Sequence, residues 1–182
     1  MLSCNDICLD YVEATRVTHA LKGVSLDFSP NKLHGIMGPS GSGKSSLLYI
    51  LCGLKSPTAG NVALDGTSIT NMSDAACARL RSQKFGFVFQ QPFLLNYLTA
   101  LENILVGINP DELSASVQKA ESLLSYLGLD GMGDKYPSML SGGERQRVAV
   151  ARALIGKEEG DTAEFQAPGG LRRFEVVSVR YC

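Results

Sequence analysis

Apolar and polar positions along the chain follow two rhythms. Residues 7–12 read as a short strand, and residues 21–28 as another, with Leu21, Val24, Leu26 and Phe28 as its apolar positions. Pro30-Asn31 reads as a turn. Residues 33–37, Leu33-His34-Gly35-Ile36-Met37, read as a buried strand running into a glycine-rich stretch at Gly38, and a helix is predicted over 44–54. Residues 61–64 predict a strand ending in Asp65-Gly66, a hairpin-turn dipeptide. Residues 85–89 predict a strand that Gln90-Gln91-Pro92 breaks. Helices are predicted over 74–83, 99–106 and 110–127, the last with Leu113, Val117, Ala120, Leu124 and Leu127 on one stripe. Ser141 stands where it can cap a final helix that runs to about Ile155.

Strands first, then strand–loop–helix, then a mostly helical insert predict an α/β domain with a helical lobe. The character changes at Gly156. Gly156-Lys157-Glu158-Glu159-Gly160-Asp161 is polar, Gln166-Ala167-Pro168-Gly169-Gly170 is loop-like, and only residues 174–181 could form a strand. The chain therefore divides into a domain over 1–155 and a tail over 156–182 expected to be irregular.

Composition narrows the function without naming it. The 182 residues can bury a real core. With 17 basic against 18 acidic side chains and no polybasic block, nothing points to nucleic acid as a partner. No run of about 18 apolar residues predicts a membrane span, and the first residues lack the pattern of a secretion signal. Five cysteines without paired zinc-type spacing read as reduced thiols of a cytosolic-type compartment.

Gly38-Pro39-Ser40-Gly41-Ser42-Gly43-Lys44-Ser45 fits the phosphate-binding P-loop pattern. Glycines let successive N–H groups turn toward one anion, and the following helix adds its positive end. Lys44 supplies a full charge for the β- and γ-phosphates, the Ser45 hydroxyl suits Mg²⁺, and Ser46 extends the polar edge. A second segment, Leu140-Ser141-Gly142-Gly143-Glu144-Arg145-Gln146-Arg147, precedes the last helix. By itself it reads first as a capping box of Ser141 and Glu144, and second as another anion site.

In this order and at this separation the two segments resemble the Walker A loop and signature motif of ABC transporter nucleotide-binding domains. The resemblance covers roughly residues 3–155, and Phe85-Gly86-Phe87-Val88-Phe89-Gln90-Gln91 is similar to the family's strand and Q-loop. Leu98-Thr99-Ala100-Leu101-Glu102-Asn103 resembles the stretch after that loop in exporters of lipoproteins and macrolides. The resemblance implies a P-loop NTPase core with an antiparallel β subdomain and a helical lobe. It implies ATP and Mg²⁺ as ligands, bound by Tyr11 against adenine, by Gly38, Ser40, Gly41, Ser42, Gly43, Lys44, Ser45 and Ser46 around the phosphates, and by Ser45 and Gln90 at the metal. It gives Gln90 and Lys44 catalytic roles. Ser141, Gly142, Gly143 and Glu144 are expected to grip the nucleotide of a second nucleotide-binding domain in a head-to-tail dimer. A membrane permease, with the chain at the cytoplasmic face, is the implied partner. Read from the residue alone, Tyr11 serves equally as a packing residue at a strand end.

The family continues with an apolar strand ending in Asp-Glu and a later switch histidine, and neither pattern occurs in this sequence. Val62-Ala63-Leu64-Asp65 lies upstream of the signature and reads as a hairpin, Glu158-Glu159 follows no apolar strand, and His19 and His34 precede the P-loop. The C-terminal part of the family's sheet is accordingly expected to be missing. The match fails after Ile155, with a frameshift, altered splice or faulty gene model as the expected origin. Three functions follow: a transport ATPase subunit with little turnover alone, a catalytically inactive nucleotide-binding or interaction module, or a soluble ABC-type ATPase unconnected with transport.

Overall fold

A computed structural model describes residues 1–14, 16–30, 32, 34–157, 162–167 and 170–175, with the last two stretches described for their backbone only. The chain divides into two units, Met1–Arg81 and Ser82–Cys182.

In the first unit β1 (Leu2–Glu13) and β2 (Arg16–Phe28) form a long antiparallel hairpin. With β3 (Ala59–Leu64) and β4 (Thr67–Ser68) they make a sheet of order β2-β1-β3-β4. β1 starts five residues before the predicted strand. Its buried positions are Leu2 and Cys4, then Ile7 and Leu9, and the change of phase falls at Asp6. Asp6 has a positive φ of 49°, and the register with β2 shifts between Cys4 and Ile7. The extra residue of this β-bulge breaks the two-residue alternation that the sequence pattern relies on. The β3–β4 connection is the hairpin expected at Asp65-Gly66, with φ 49° and 79°. Helix α1 (Lys44–Leu51) lays Leu47, Ile50 and Leu51 on the core of this sheet, and α2 (Asp74–Lys84) follows β4.

Residues 33–37 depart from their expectation. Residues 34–37 form no strand, Leu33 lies outside the described residues, and Met37 is 84% exposed. An extended segment becomes a strand only where neighbours take up its N–H and C=O groups. Among the described residues neither sheet includes this segment.

In the second unit β5 (Phe85–Val88) pairs in parallel with β6 (Thr162–Ala167), which pairs antiparallel with β7 (Gly170–Glu175). The tail over 156–182 was expected to be irregular, and β6 and β7 correct that expectation. Pairing to β5 decides the outcome, and no local pattern in the tail reports it. Of the strand expected over 174–181, only 174 and 175 fall in β7, and 176–181 lie outside the described residues.

Three helices, α3 (Ala100–Leu105), α4 (Leu113–Tyr126) and α5 (Gly142–Leu154), share a core that includes Ile104, Ala120, Leu124, Val148 and Ala151. On α4 the stripe holds at Ala120 and Leu124 and gains Leu123. Leu113 opens the helix and stays 43% exposed. Gly86 lets α5 approach β5, since a Cβ there would run into the Ala153 carbonyl. Thr99 caps α3 in a capping box with Glu102.

Asn103 on α3 is fully buried, and its amide ties the loop before the helix. The two N–H bonds of its Nδ2 are shared among the carbonyls of Leu95 (3.0 Å), Leu98 (3.0 Å) and Thr99 (2.9 Å), while Oδ1 accepts from the Leu95 N–H at 2.7 Å. Asn103→Leu removes these side-chain bonds, and the Leu98 carbonyl and Leu95 N–H then lose the partner shown for them. It is expected to lower stability by about 2–4 kcal/mol in urea denaturation. An unchanged midpoint would mean that the loop holds itself.

Candidate functional site

The glycine-rich loop takes the shape its residue types permit. Gly43 is the N-cap of α1 at φ 87°, and a Cβ there would come within 2.6 Å of the Ala20 carbonyl oxygen. A non-glycine residue would be both strained and in collision. No side chain caps α1 and no acidic residue sits in its first turn, so its N-terminal N–H groups and positive end meet no carboxylate from the helix itself. The loop folds around Lys44, whose Nζ donates to the carbonyls of Gly38 (2.8 Å) and Pro39 (2.7 Å) and lies 3.4 Å from Ser42 Oγ. Ser40, Gly41, Ser42 and Ser45 are exposed around it. A lysine ammonium held on the carbonyls of an exposed glycine-rich turn, at the start of a helix with hydroxyls beside it, is chemically suited to a polyphosphate.

Tyr11 of β1 lies in the same unit. Its hydroxyl is 3.1 Å from Ser46 Oγ on α1, and the Lys55 ammonium sits 4.0 Å from its ring centroid. The Ser46 hydrogen bond, followed by Lys55, holds the Tyr11 phenol below its ordinary range. The ring is 38% exposed. The two histidines are occupied elsewhere: His19 Nδ1 lies 2.7 Å from Asp10 Oδ1, and His34 Nε2 is 3.0 Å from the Ser29 carbonyl. Asp65 is in the hairpin turn, where its carboxylate meets the Met1 amino group. Glu158 and Glu159 lie outside the described residues.

The second unit holds the other expected residues. Gln90 follows β5 and is exposed. Helix α5 grips the loop on both sides of it: Gln146 Nε2 donates to the Phe89 carbonyl (3.0 Å), and Arg152 donates to those of Pro92 (2.8 Å) and Phe93 (3.0 Å). Burial lowers the Arg152 pKa. Lys157, the start of the polar stretch in sequence, is buried and donates to the Ser82 carbonyl at 2.6 Å. Sequence pattern missed Gln146, Arg152 and Lys157 as positioning residues, because their partners are carbonyls about sixty or more residues away.

Ser141 and Glu144 form the capping box in full. Ser141 Oγ accepts from the Glu144 N–H at 3.3 Å, and the Glu144 carboxylate accepts from the Ser141 N–H at 2.6 Å. Gly142 and Gly143 are different. Neither has positive φ, a Cβ on Gly142 would meet nothing within 4 Å, and one on Gly143 would meet only Arg147 Nη1 at 3.7 Å. Their own chain does not demand glycine at either place.

A sequence model of the family described as ABC transporter matches residues 21–159. The chain belongs to the ABC transporter family. A shorter match, to the C-terminal part of the transcription elongation factors GreA/GreB, covers residues 149–181 and spans too little of the chain to assign it. Among solved structures, the dimeric form of MJ0796, a bacterial ABC transporter cassette, is 35% identical with a TM-score of 0.76, over 86% of this chain and 70% of that one. The post-hydrolysis dimer of MJ0796 bound to ADP and Pi is 34% identical with a TM-score of 0.75, at the same coverage of 86% and 70%. The protein cbiO1 from Clostridium perfringens, part of the ABC transporter complex cbiONQ, is 27% identical with a TM-score of 0.67, over 85% of this chain and 61% of that one. The fold is that of ABC ATPase cassettes. No helix among the described residues is long and apolar enough to cross a membrane.

The capping box at the start of α5 is expected to make this helix sensitive to pH. Hydrogen bonds from the Ser141 side chain and backbone, helped by Arg147 and Lys135, hold the Glu144 carboxyl below its ordinary value. A depressed folded-state pKa gives stability that is complete above the unfolded value of 4.5 and is lost as pH falls through the folded value. In melts from pH 7 to pH 3 the native chain should lose more stability than Glu144→Gln. Parallel curves would remove the carboxylate from the cap.

Proposed function

We propose that this chain binds Mg–ATP in the loop around Lys44 and serves as the ATP-binding subunit of a membrane transporter. The observation that carries the reading is the turn of residues 38–45 closed around the Lys44 ammonium. Lys44 and the N-terminal N–H groups of α1 would hold the β- and γ-phosphates, with Ser40, Gly41, Ser42 and Ser46 along the edge. Tyr11 would face the adenine ring. Ser45 and Gln90 offer neutral oxygen donors, which suit a hard cation held mostly by phosphate oxygens and water, and bound Mg²⁺ would neutralise phosphate charge. Gln90 would orient the attacking water.

The glycine pair at 142–143 supports a second nucleotide-binding domain as partner. Glycine costs helix stability, and here no internal contact or backbone angle requires it. Bare backbone at a helix start fits close approach by a phosphate from another chain. We place that partner head to tail, with Ser141 beside the glycines and Glu144 holding the cap. The 35% identity to the dimeric MJ0796 cassette favours this arrangement. The stretch 98–103 favours the lipoprotein- and macrolide-exporter branch, and a permease at the cytoplasmic face of a membrane would complete the assembly. The nucleotide-binding domain is taken as residues 1–155.

Because no apolar strand in this sequence ends in Asp-Glu, the chain alone should hydrolyse ATP slowly. Loss of a positioned acid or base typically costs about 10²–10⁴-fold. A nucleotide-binding module without turnover is therefore the second reading, and a single-turnover assay separates the two.

Mg–ATP at about 100 times its Kd should stabilise the chain by about 2.7 kcal/mol, and Lys44→Ala should abolish the shift. A shift that survives the substitution would move the site elsewhere. Gly142→Ala makes a two-signed prediction. The isolated chain should become more stable by about 0.4–1 kcal/mol. ATP-dependent dimerisation, followed by light scattering, should weaken. Dimerisation untouched by the substitution would remove the glycines from the interface.

A further inference from the structure

Tyr11 is held from two sides, by Ser46 at the edge of the phosphate loop and by Lys55, for which the P-loop pattern supplies no role. Its hydroxyl is 3.1 Å from Ser46 Oγ in the first turn of α1, and one ring face carries the Lys55 ammonium at 4.0 Å from the centroid. Lys55 lies four residues after the end of α1, and its backbone N–H bonds to the Tyr49 carbonyl at 3.0 Å, which fixes where its side chain starts. A partly exposed tyrosine ring near a strand end would ordinarily sample several rotamers. Here the hydroxyl and one face are both tied to the helix that begins at the phosphate loop. A planar ring has two faces, and a cation on one leaves the other for stacking.

We infer that Lys55 and Ser46 are positioning residues for nucleotide base recognition: they fix the Tyr11 ring so that its opposite face receives the purine. The inference rests on the nucleotide reading above and adds to it what sets the base-dependent share of affinity. Lys55 acts through the ring and does not touch the phosphates. Inorganic tripolyphosphate, which has no base, is therefore the discriminating ligand.

The experiment compares binding of Mg–ATP and Mg–tripolyphosphate to the full chain by calorimetry. Lys55→Met should weaken ATP about two- to fivefold, the range of an exposed cation–π contact, and leave tripolyphosphate unchanged. Lys55→Arg should restore ATP binding. In a Tyr11→Leu background, Lys55→Met should have no further effect on ATP, because the residue it supports is gone. Lys119→Met on the exposed surface of α4 makes the same charge change as a control. Equal loss for both ligands, or a Lys55→Met effect that persists without Tyr11, would make Lys55 a phosphate contact and overturn the inference. Unchanged or tighter ATP binding by Lys55→Met would overturn it too, the second by showing that the ammonium competes for the ring face. If the unsubstituted chain binds neither ligand, the nucleotide reading fails and the inference falls with it. If it binds both and Lys55→Met changes neither, only the inference fails.

Discussion

Loop carbonyls in this protein are held by long polar side chains reaching out of helices or from just beyond them. Lys44 takes those of Gly38 and Pro39, Gln146 that of Phe89, Arg152 those of Pro92 and Phe93, and Lys157 that of Ser82. A loop cannot satisfy its own backbone groups as a helix or sheet does, so its shape depends on donors from outside. In every case here the donor is cationic or an amide, strong enough to fix a turn without a ladder. The functional segments of both units are among the loops held in this way. Their geometry therefore follows the helices, and a change in a helix reaches the site through one or two hydrogen bonds.

The glycines divide by the same physical test. Gly43 and Gly86 are required by their own chain, the first by left-handed backbone and a nearby carbonyl, the second by the close approach of Ala153. Gly142 and Gly143 are not required by anything among the described residues. A residue type that costs stability and returns nothing internally is best explained by something external. Sequence reading left this segment open between capping box and anion site. The structure gives the capping box to Ser141 and Glu144 and shows that this cap does not need either glycine.

Much of the candidate site was legible because its chemistry is local. The loop over 38–45 and the helix after it need only a run of glycines, a lysine and a hydroxyl in fixed order. The hairpin at Asp65-Gly66 and the cap at Ser141 are likewise specified within four residues. What escaped were partners far apart in sequence. Nothing near Arg152 marks it as the anchor of Pro92, and nothing near Lys55 marks it as a neighbour of Tyr11. Family resemblance supplied the expected roles of Tyr11 and Gln90, but not what holds them.

The sequence by itself determined the helices, the hairpin at Asp65-Gly66 and the phosphate loop, because propensity, turn chemistry and capping act over a few residues. Tertiary structure alone decided three things. The bulge at Asp6 extends β1 back to Leu2 by shifting its alternation. Residues 34–37 are not a strand despite their apolar run, since no described strand pairs with them. Thr162–Ala167 is a strand despite a tail that reads as irregular, because β5 offers it a parallel edge. Pairing in a sheet is a property of two segments, and no reading of one segment contains it.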